Sequence, residues 1–214
     1  MIKIKDTLAI ENILSNKKII YSKLLSASFG INCIKIVTTD KKDYIVKYYN
    51  NNDKNKFNAI ESEKKNLIFL NKINSKLFPK VYSTNNKYLI ISFFKNDGSQ
   101  PSKLKSDLLN SIILLHSNKS KKYGFEFDTQ IGGLRQRNVI YGNWVDFYRE
   151  FRLFYIFDLI NKNKPMKKII NDKIELLLSK LENFIPKNPE PSLLHGDLWE
   201  GNILFNNYNF VGFI

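Results

Sequence analysis

The chain has 214 residues, 43% of them hydrophobic and 25% charged, which excludes an extended disordered chain and allows one large domain or two small lobes. Its one cysteine, Cys33, excludes an intramolecular disulfide framework and fits a reducing compartment. A formal net charge of +14 invites a nucleic-acid reading, but the lysines are scattered and no arginine-rich block, zinc pattern or stacked-aromatic module accompanies them; no specific nucleic-acid partner is expected, and the charge suits a small anionic substrate.

Met1 to Leu14 carries Lys3, Lys5, Asp6 and Glu11, so it does not read as a signal peptide, and residues 1–16 read as a short helix with Leu8, Ile13 and Leu14 as its apolar positions. From Ile19 to Tyr49 the texture is that of strands: "CIKIVTTD" and "DYIVKYY" are rich in β-branched and aromatic residues, with Asp40 to Asp43 as a polar turn between them. Asn50 to Asn55 reads as a loop. Phe57 to Ile73 reads as a helix, since Phe57, Ile60, Leu67, Leu70 and Ile73 recur at three- and four-residue steps. "KVYST" and "KYLIISFF" flank Asn85-Asn86 as a hairpin. The apolar run Tyr88 to Phe94 is too short to span a bilayer, so no membrane segment is expected and the default is cytoplasmic.

Lys95 to Ser102, with Gly98 and Pro101, reads as a hinge. Beyond it the texture is helical, over Leu104 to His116, Trp144 to Asn161 and Met166 to Phe184. A long irregular stretch with Gly124, Gly132 and Gly133 separates the first two, and Pro186, Pro189 and Pro191 end the third. The order is a strand-rich front half, a hinge and a helical back half.

The most informative pair is Asp197 and Asn202, within His195-Gly196-Asp197-Leu198-Trp199-Glu200-Gly201-Asn202. A kinase catalytic loop needs an acceptor for the substrate hydroxyl proton and, five residues on, an amide oxygen for magnesium, and the pattern H-R-D-x-x-x-x-N has that spacing. The competing reading is an Asx turn capping local backbone, but the apolar runs Leu193-Leu194 and Ile203-Leu204-Phe205 would bury both ends of the loop and leave its polar side chains at a cleft. Phosphate binding also needs a lysine on a strand, held by a carboxylate on a neighbouring helix. Lys47 lies in the hydrophobic run Tyr44 to Tyr49, and Glu63 falls in line with Ile60, Leu67 and Leu70. A carboxylate in an apolar stripe is costly unless paired. The alternatives are that Lys47 snorkels to solvent, or that Glu61 takes the place of Glu63.

"LLHGDLWEGN" resembles the catalytic loop of the fructosamine kinases, or ketosamine-3-kinases, which belong with the aminoglycoside and choline phosphotransferases in the protein-kinase-like fold. The second block, Tyr123 to Leu153, resembles the segment before that family's substrate region: it holds Tyr123-Gly124-Phe125, Gly132, Gln136, Asn138 and Trp144-Val145-x-Phe147-Tyr148. The resemblance implies an α+β, two-lobed kinase-like fold, with a nucleotide-binding lobe over 1–94 and a catalytic lobe over 95–214. It implies ATP and Mg²⁺ as cofactors and a free or protein-bound ketosamine, of fructosamine or ribulosamine type, phosphorylated on its 3-hydroxyl in protein deglycation. Asp197 is then the catalytic base and Asn202 the metal ligand, while Lys47 and Glu63 serve the nucleotide phosphates.

By position alone, Ser28 and Gly30 stand where relatives carry a glycine-rich phosphate loop, although only Gly30 of that pattern remains. Leu89 to Phe94, with Ile91 and Phe93, stands where an inter-lobe strand meets adenine; Ser92 replaces an acidic residue there. Trp199, Asp128, Gln136, Asn138 and Trp144 are placed on the acceptor side by resemblance, whereas His195 braces the loop and His116 packs at a helix end. The family's next metal-binding Asp would follow Ile214, so the sequence reads as a chain cut short and is expected to be inactive alone. Kinases of aminoglycosides, choline or another small alcohol, and a catalytically dead nucleotide-binding module, are the alternatives.

Overall fold

The computed structural model describes residues 4–49, 57–82, 85, 87–132 and 134–214. The chain divides into two compact units, one of Met1–Ile113, Gln130–Leu134 and His195–Ile214, the other of Leu114–Thr129 and Arg135–Leu194.

The first unit is built on a four-stranded antiparallel sheet in the order β1 (Ile19–Ser28), β2 (Ile31–Thr38), β3 (Asp43–Tyr49), β4 (Tyr88–Ser92). Strand alternation decides its faces. Ile34 and Ile36 of β2, Tyr44, Val46 and Tyr48 of β3, and Tyr88 and Ile90 of β4 are buried together with Ile10 and Leu14 of helix α1 (Ile4–Ile13) or just beyond it. Lys47, between Val46 and Tyr48, therefore points to the opposite face. The expected helix is present, but Leu8 is 57% exposed and Ile10 is the core residue in its place. The inward stripe is Asp6, Ile10 and Leu14, at four-residue steps, and an aspartate in that stripe hid it. Asp6 accepts hydrogen bonds from the Tyr88 hydroxyl at 2.5 Å and Lys87 Nζ at 3.2 Å. Glu11, also buried, accepts from the Ile19 amide at 2.8 Å and Lys18 Nζ at 3.1 Å. Both buried carboxylates are thus compensated, as burial of charge demands.

At the turn between β2 and β3, Asp40 accepts from Thr38 Oγ1 at 2.6 Å and pairs with Lys17 Nζ at 2.6 Å. The Lys17 hydrogen bond, then that of Thr38, hold its pKa at about 2, below the ordinary 3.8. A depressed carboxylate pKa contributes stability that is present above the ordinary value and is lost as pH falls through the folded one. The melting-temperature gap between the wild type and D40N is therefore expected to shrink as pH falls from 4 to 2. A gap that stays constant through that window would refute the pairing.

Helix α2 (Ala59–Ile73) starts at Asn58, whose side chain accepts from the Glu61 amide at 3.0 Å. It buries Ala59, Ile60, Ser62 and Leu67. Asn71 ties it to the approach to β4 by donating to Pro79 O at 2.9 Å. Of the expected hairpin before β4, the described residues show a bridge between Val81 and Ile91. The Tyr82 amide donates to Ile90 O at 2.8 Å and the Ser92 amide to Lys80 O at 2.9 Å, while Ser83 and Thr84 lie outside the described residues. Asn86 and the loop Asn50 to Asn55 lie outside the described residues.

Helix α3 (Ser106–His116) follows the hinge segment. The end of the chain forms the hairpin of β7 (Ile203–Asn206) and β8 (Asn209–Phe213), turning through Asn207 and Tyr208, both left-handed with φ of 50° and 60°. Gly212 is required by close approach: a Cβ there would meet Leu77 O at 2.8 Å and the Phe94 ring. The neighbouring Phe213 amide donates to Leu77 O at 2.8 Å.

The second unit carries an aromatic cluster of Tyr123, Trp144, Phe147 and Phe151, with ring centroids 5.2 to 5.9 Å apart along it. The helix expected over Trp144 to Asn161 is present, but it is not α-helical throughout. It runs as α4 (Trp144–Tyr148), a π-helical turn Arg149–Phe154 and α5 (Tyr155–Asn163). A 3.6-residue periodicity cannot register the extra residues of a π turn. Helix α6 (Lys168–Ser179) follows. The stretch with Gly124, Gly132 and Gly133, read as irregular, contains a two-stranded sheet of β5 (Thr129–Ile131) and β6 (Leu134–Gln136); strands of three residues leave almost no alternation to read. No helix among the described residues is long and apolar enough to cross a membrane.

Candidate active site

Lys47 and Glu63 meet at 2.6 Å, joining β3 to α2. Their side chains are 28% and 21% exposed, so the pair is largely withdrawn from water. Glu61, the competing carboxylate, pairs instead with Lys64 at 2.7 Å. Burial acts to lower the Lys47 pKa, but the charge and hydrogen bond of Glu63 outweigh it, and the net shift is upward from 10.5. Lys47 is thus a fixed cation at neutral pH, aimed by its partner rather than left to snorkel.

The second constellation is the loop from His195 to Asn202. Gly196 turns it with φ of 89°, a conformation costly for any residue with a Cβ. Its far end is the 3₁₀ turn Glu200–Asn202 leading into β7. Asn202 Nδ2 donates to Asp197 O at 2.8 Å and to Asp197 Oδ2 at 2.9 Å. The bond to Oδ2 leaves the other carboxylate oxygen of the exposed Asp197 to accept a proton. It also turns Asn202 Oδ1 away, without a hydrogen bond among the described residues. A hard, neutral oxygen of this kind fits magnesium, which takes few protein ligands and completes its shell with phosphate and water. Among the described residues no group of three or more His, Cys, Asp and Glu gathers to hold a metal by itself. One amide oxygen plus nucleotide phosphates is the arrangement these residues suit.

Ring packing holds the loop, whereas the Leu193-Leu194 run expected to bury its start does not, since Leu194 is 59% exposed. The His195 ring stacks on Phe78 at 6.4 Å and lies 5.6 Å from the Phe213 ring. Burial pushes its pKa down, against the pull of Asp197. Its Nδ1 finds no hydrogen-bond partner among the described residues, so His195 does not brace the loop backbone by that atom as expected and is held by its ring contacts instead. Trp199 is 56% exposed and lays its ring over Gly201, where any Cβ would strike it. Phe205 and Phe213, in the strands that follow the loop, are buried.

The other expected site residues are spread through both units. Ser28 ends β1, and Phe29 and Gly30 form a tight left-handed turn with φ of 51° and 75°. The segment is a two-residue hairpin, not an open glycine-rich loop. Ile91 is buried in β4 opposite Ile45, and Lys35 Nζ lies 3.9 Å above the Phe93 ring. Ser92, whose hydroxyl accepts from the Lys80 amide at 2.9 Å, is engaged in strand pairing.

In the second unit, Gln136 Oε1 accepts from Thr129 Oγ1 at 2.9 Å. Asn138 is held on both sides of its amide: Nδ2 donates to Phe127 O at 3.0 Å and Thr129 Oγ1 at 3.1 Å, and Oδ1 accepts from Arg152 at 2.6 Å. Trp144 is packed against Tyr123 and Tyr148. Asp128 accepts from the Asn138 amide at 2.8 Å and from Arg135 Nε at 2.6 Å. Sequence reasoning missed Arg152, which sits on the π turn. It also missed Asp97 and Ser99, read only as parts of a hinge.

The family model for fructosamine kinase matches residues 10–213. The chain belongs to the fructosamine kinase family. A probable ketoamine kinase of Vibrio parahaemolyticus is 28% identical over 222 residues, covering 99% of this chain and 71% of that protein. A chloroplastic protein-ribulosamine 3-kinase of Arabidopsis thaliana is 33% identical over 128 residues, 59% of this chain and 39% of that one. A crystal structure from Thermobifida fusca assigned to fructosamine-3-kinase matches with a TM-score of 0.81 at 18% identity, over 99% of this chain and 73% of that one. The fold is the α+β, kinase-like one of that family. The chain spans only part of the length of the relatives it matches, 71% and 39% of the Vibrio and Arabidopsis kinases.

Proposed function

We propose that the chain supplies the nucleotide-binding sheet and catalytic loop of an ATP- and magnesium-dependent kinase that phosphorylates a ketosamine of fructosamine or ribulosamine type. The observation that carries the reading is the pairing of Lys47 with Glu63 at 2.6 Å in the same compact unit as Asp197 and Asn202. Family membership and the activities named for the two relatives support the substrate class, and the Arabidopsis relative supports the 3-hydroxyl as acceptor. That substrate would give the protein a role in reversing protein glycation, and its single cysteine fits the reducing cytoplasm. Functionally, the chain divides into a nucleotide lobe over 1–94 and a catalytic lobe over 95–214.

In this reading Lys47 neutralises charge on the nucleotide phosphates, and Glu63 fixes where its ammonium points. Asn202 would contribute an amide oxygen to Mg²⁺, which when bound would screen the phosphate charge. Asp197 aligns the acceptor hydroxyl and takes its proton as that oxygen bonds to the γ-phosphorus. The bond from the γ-phosphorus to the bridging oxygen breaks, and ADP leaves with that oxygen. Ser28, Gly30, Ile91 and Phe93 border the nucleotide, while Trp199, Gln136, Asn138 and Trp144 belong to the acceptor side.

The test is a panel of acceptors with radiolabelled ATP and Mg²⁺, run on a protein that carries this chain extended to the length of its relatives. Label is expected on fructosyl- and ribulosyl-lysine and not on aminoglycosides or choline; the reverse pattern overturns the substrate class. A second reading, a nucleotide-binding module without turnover, is favoured by the tight Phe29–Gly30 turn where relatives carry several glycines. ATP binding with no label on any acceptor would select it.

A further inference from the structure

The hinge segment is fastened to the tip of the β7–β8 hairpin. Asp97 Oδ2 accepts from the Asn207 amide at 2.9 Å, and Ser99 Oγ accepts from the Tyr208 amide at 2.8 Å. Asp97 Oδ1 accepts from the Ser99 amide at 3.0 Å, and the Asp97 amide donates to Phe205 O at 3.2 Å. In a two-residue hairpin the amides of the two turn residues point outward and find no partner in the ladder. Here both are met by side chains of one short segment 109 and 110 residues away in sequence. The hydrogen bonds of Ser99 and of the Asn207 amide hold the Asp97 pKa at about 2, so its carboxylate is charged at every working pH.

The hairpin so fastened begins at the candidate metal ligand. β7 starts at Ile203, directly after Asn202, and Asn202 O accepts from the Ile214 amide at 3.0 Å. The strand pair is thus held at its root by Leu77 and Asn202, and at its tip by Asp97 and Ser99. Two non-glycine residues in the left-handed region add strain at that tip, which only an over-determined turn retains.

We propose that Asp97 and Ser99 are positioning residues for Asn202, acting through the β7–β8 hairpin to set the metal-facing amide oxygen. The inference rests on the magnesium role given to Asn202 above. It makes the hinge, beside the nucleotide-bordering Phe93, and the metal ligand parts of one hydrogen-bonded frame. Ordinary turn stabilisation predicts effects confined to residues 207 and 208. A positioning role predicts effects at the other end of β7.

Two measurements on the chain separate these. Amide hydrogen exchange without ligand is compared for the wild type, D97A, S99A and S99T. D97A and S99A are expected to speed exchange at Ile203 and Ile214 as well as at Asn207 and Tyr208, while S99T, which keeps the hydroxyl, stays near wild type. Faster exchange confined to 207 and 208 overturns the proposal. The second measurement titrates Mn²⁺, as a paramagnetic substitute for Mg²⁺, in the presence of ADP. Removing such an outer support is expected to weaken Mn²⁺ affinity about tenfold in D97A, with S99T again near wild type. Unchanged affinity in D97A overturns the proposal. Absence of Mn²⁺·ADP binding in the wild type would instead sink the nucleotide reading, and the exchange result would still decide the coupling.

Discussion

Replacing Asp197 with asparagine is expected to lower kcat for phosphoryl transfer about 10²–10⁴-fold, the usual contribution of a positioned general base, with ATP affinity within about twofold of wild type. Asparagine keeps the shape of the side chain and an oxygen to accept the bond that Asn202 Nδ2 now makes to Asp197 Oδ2 at 2.9 Å. The loop is also held by contacts that do not involve the carboxylate, among them the His195 ring against Phe78 and Phe213 and the Asn202 bond to Asp197 O. Its geometry should therefore survive. What asparagine cannot do is take the acceptor proton. The loss should fall on kcat, since phosphate binding is assigned to Lys47, a different part of the unit. Steady-state kinetics in a protein carrying this chain, with both substrates varied, checks this. A fall of less than tenfold, or a parallel collapse of ATP affinity, removes Asp197 from the role of base.

The parts of this site that were legible in the sequence share one property: their chemistry is costly unless satisfied. A lysine inside the run Tyr44 to Tyr49 and a glutamate in the apolar stripe of α2 had to meet, and they do, at 2.6 Å. The spacing of Asp197 and Asn202 marked the loop, but only one of its two expected apolar flanks is buried: Phe205 is in the core after it, whereas Leu194 before it is 59% exposed. The sheet was legible because period-two burial in β2 and β3 leaves each residue one choice of face.

Less was legible where the signal is spread over distant residues. Asp6 looks like an ordinary surface aspartate until Tyr88 and Lys87, more than 80 residues away, are brought to it. Asp97 and Ser99 read only as parts of a hinge, and their partners are backbone amides, which no side-chain pattern announces. The π turn at Arg149–Phe154 breaks periodicity without any proline or glycine to mark it. Asn138 was named through resemblance, yet its anchoring by Arg152 depends on that turn.

Glu63→Gln is expected to weaken ATP binding about tenfold, equivalent to about 1.4 kcal/mol, and to make that binding sensitive to alkaline pH. In the wild type, burial pulls the Lys47 pKa down while Glu63 pushes it up by charge and hydrogen bond, and the balance lies above 10.5. Glutamine keeps an acceptor oxygen but removes the charge, so burial regains weight and the pKa falls. ATP affinity should be flat between pH 7 and about 10 in the wild type and decline within that range in E63Q. Stability follows the same sign. A lysine whose folded pKa is raised contributes stability that is complete below its unfolded value of 10.5 and is lost as pH rises through the folded value. Removing one partner of a buried pair costs about 3–5 kcal/mol, but these side chains retain 28% and 21% exposure, so about 1–3 kcal/mol is expected for K47A or E63Q. The double variant K47M/E63L separates the two roles, because apolar replacement of both partners restores much of the stability. It should melt near the wild type and yet bind no ATP measurably. If it binds ATP as the wild type does, Lys47 is a structural residue and the phosphate site lies elsewhere.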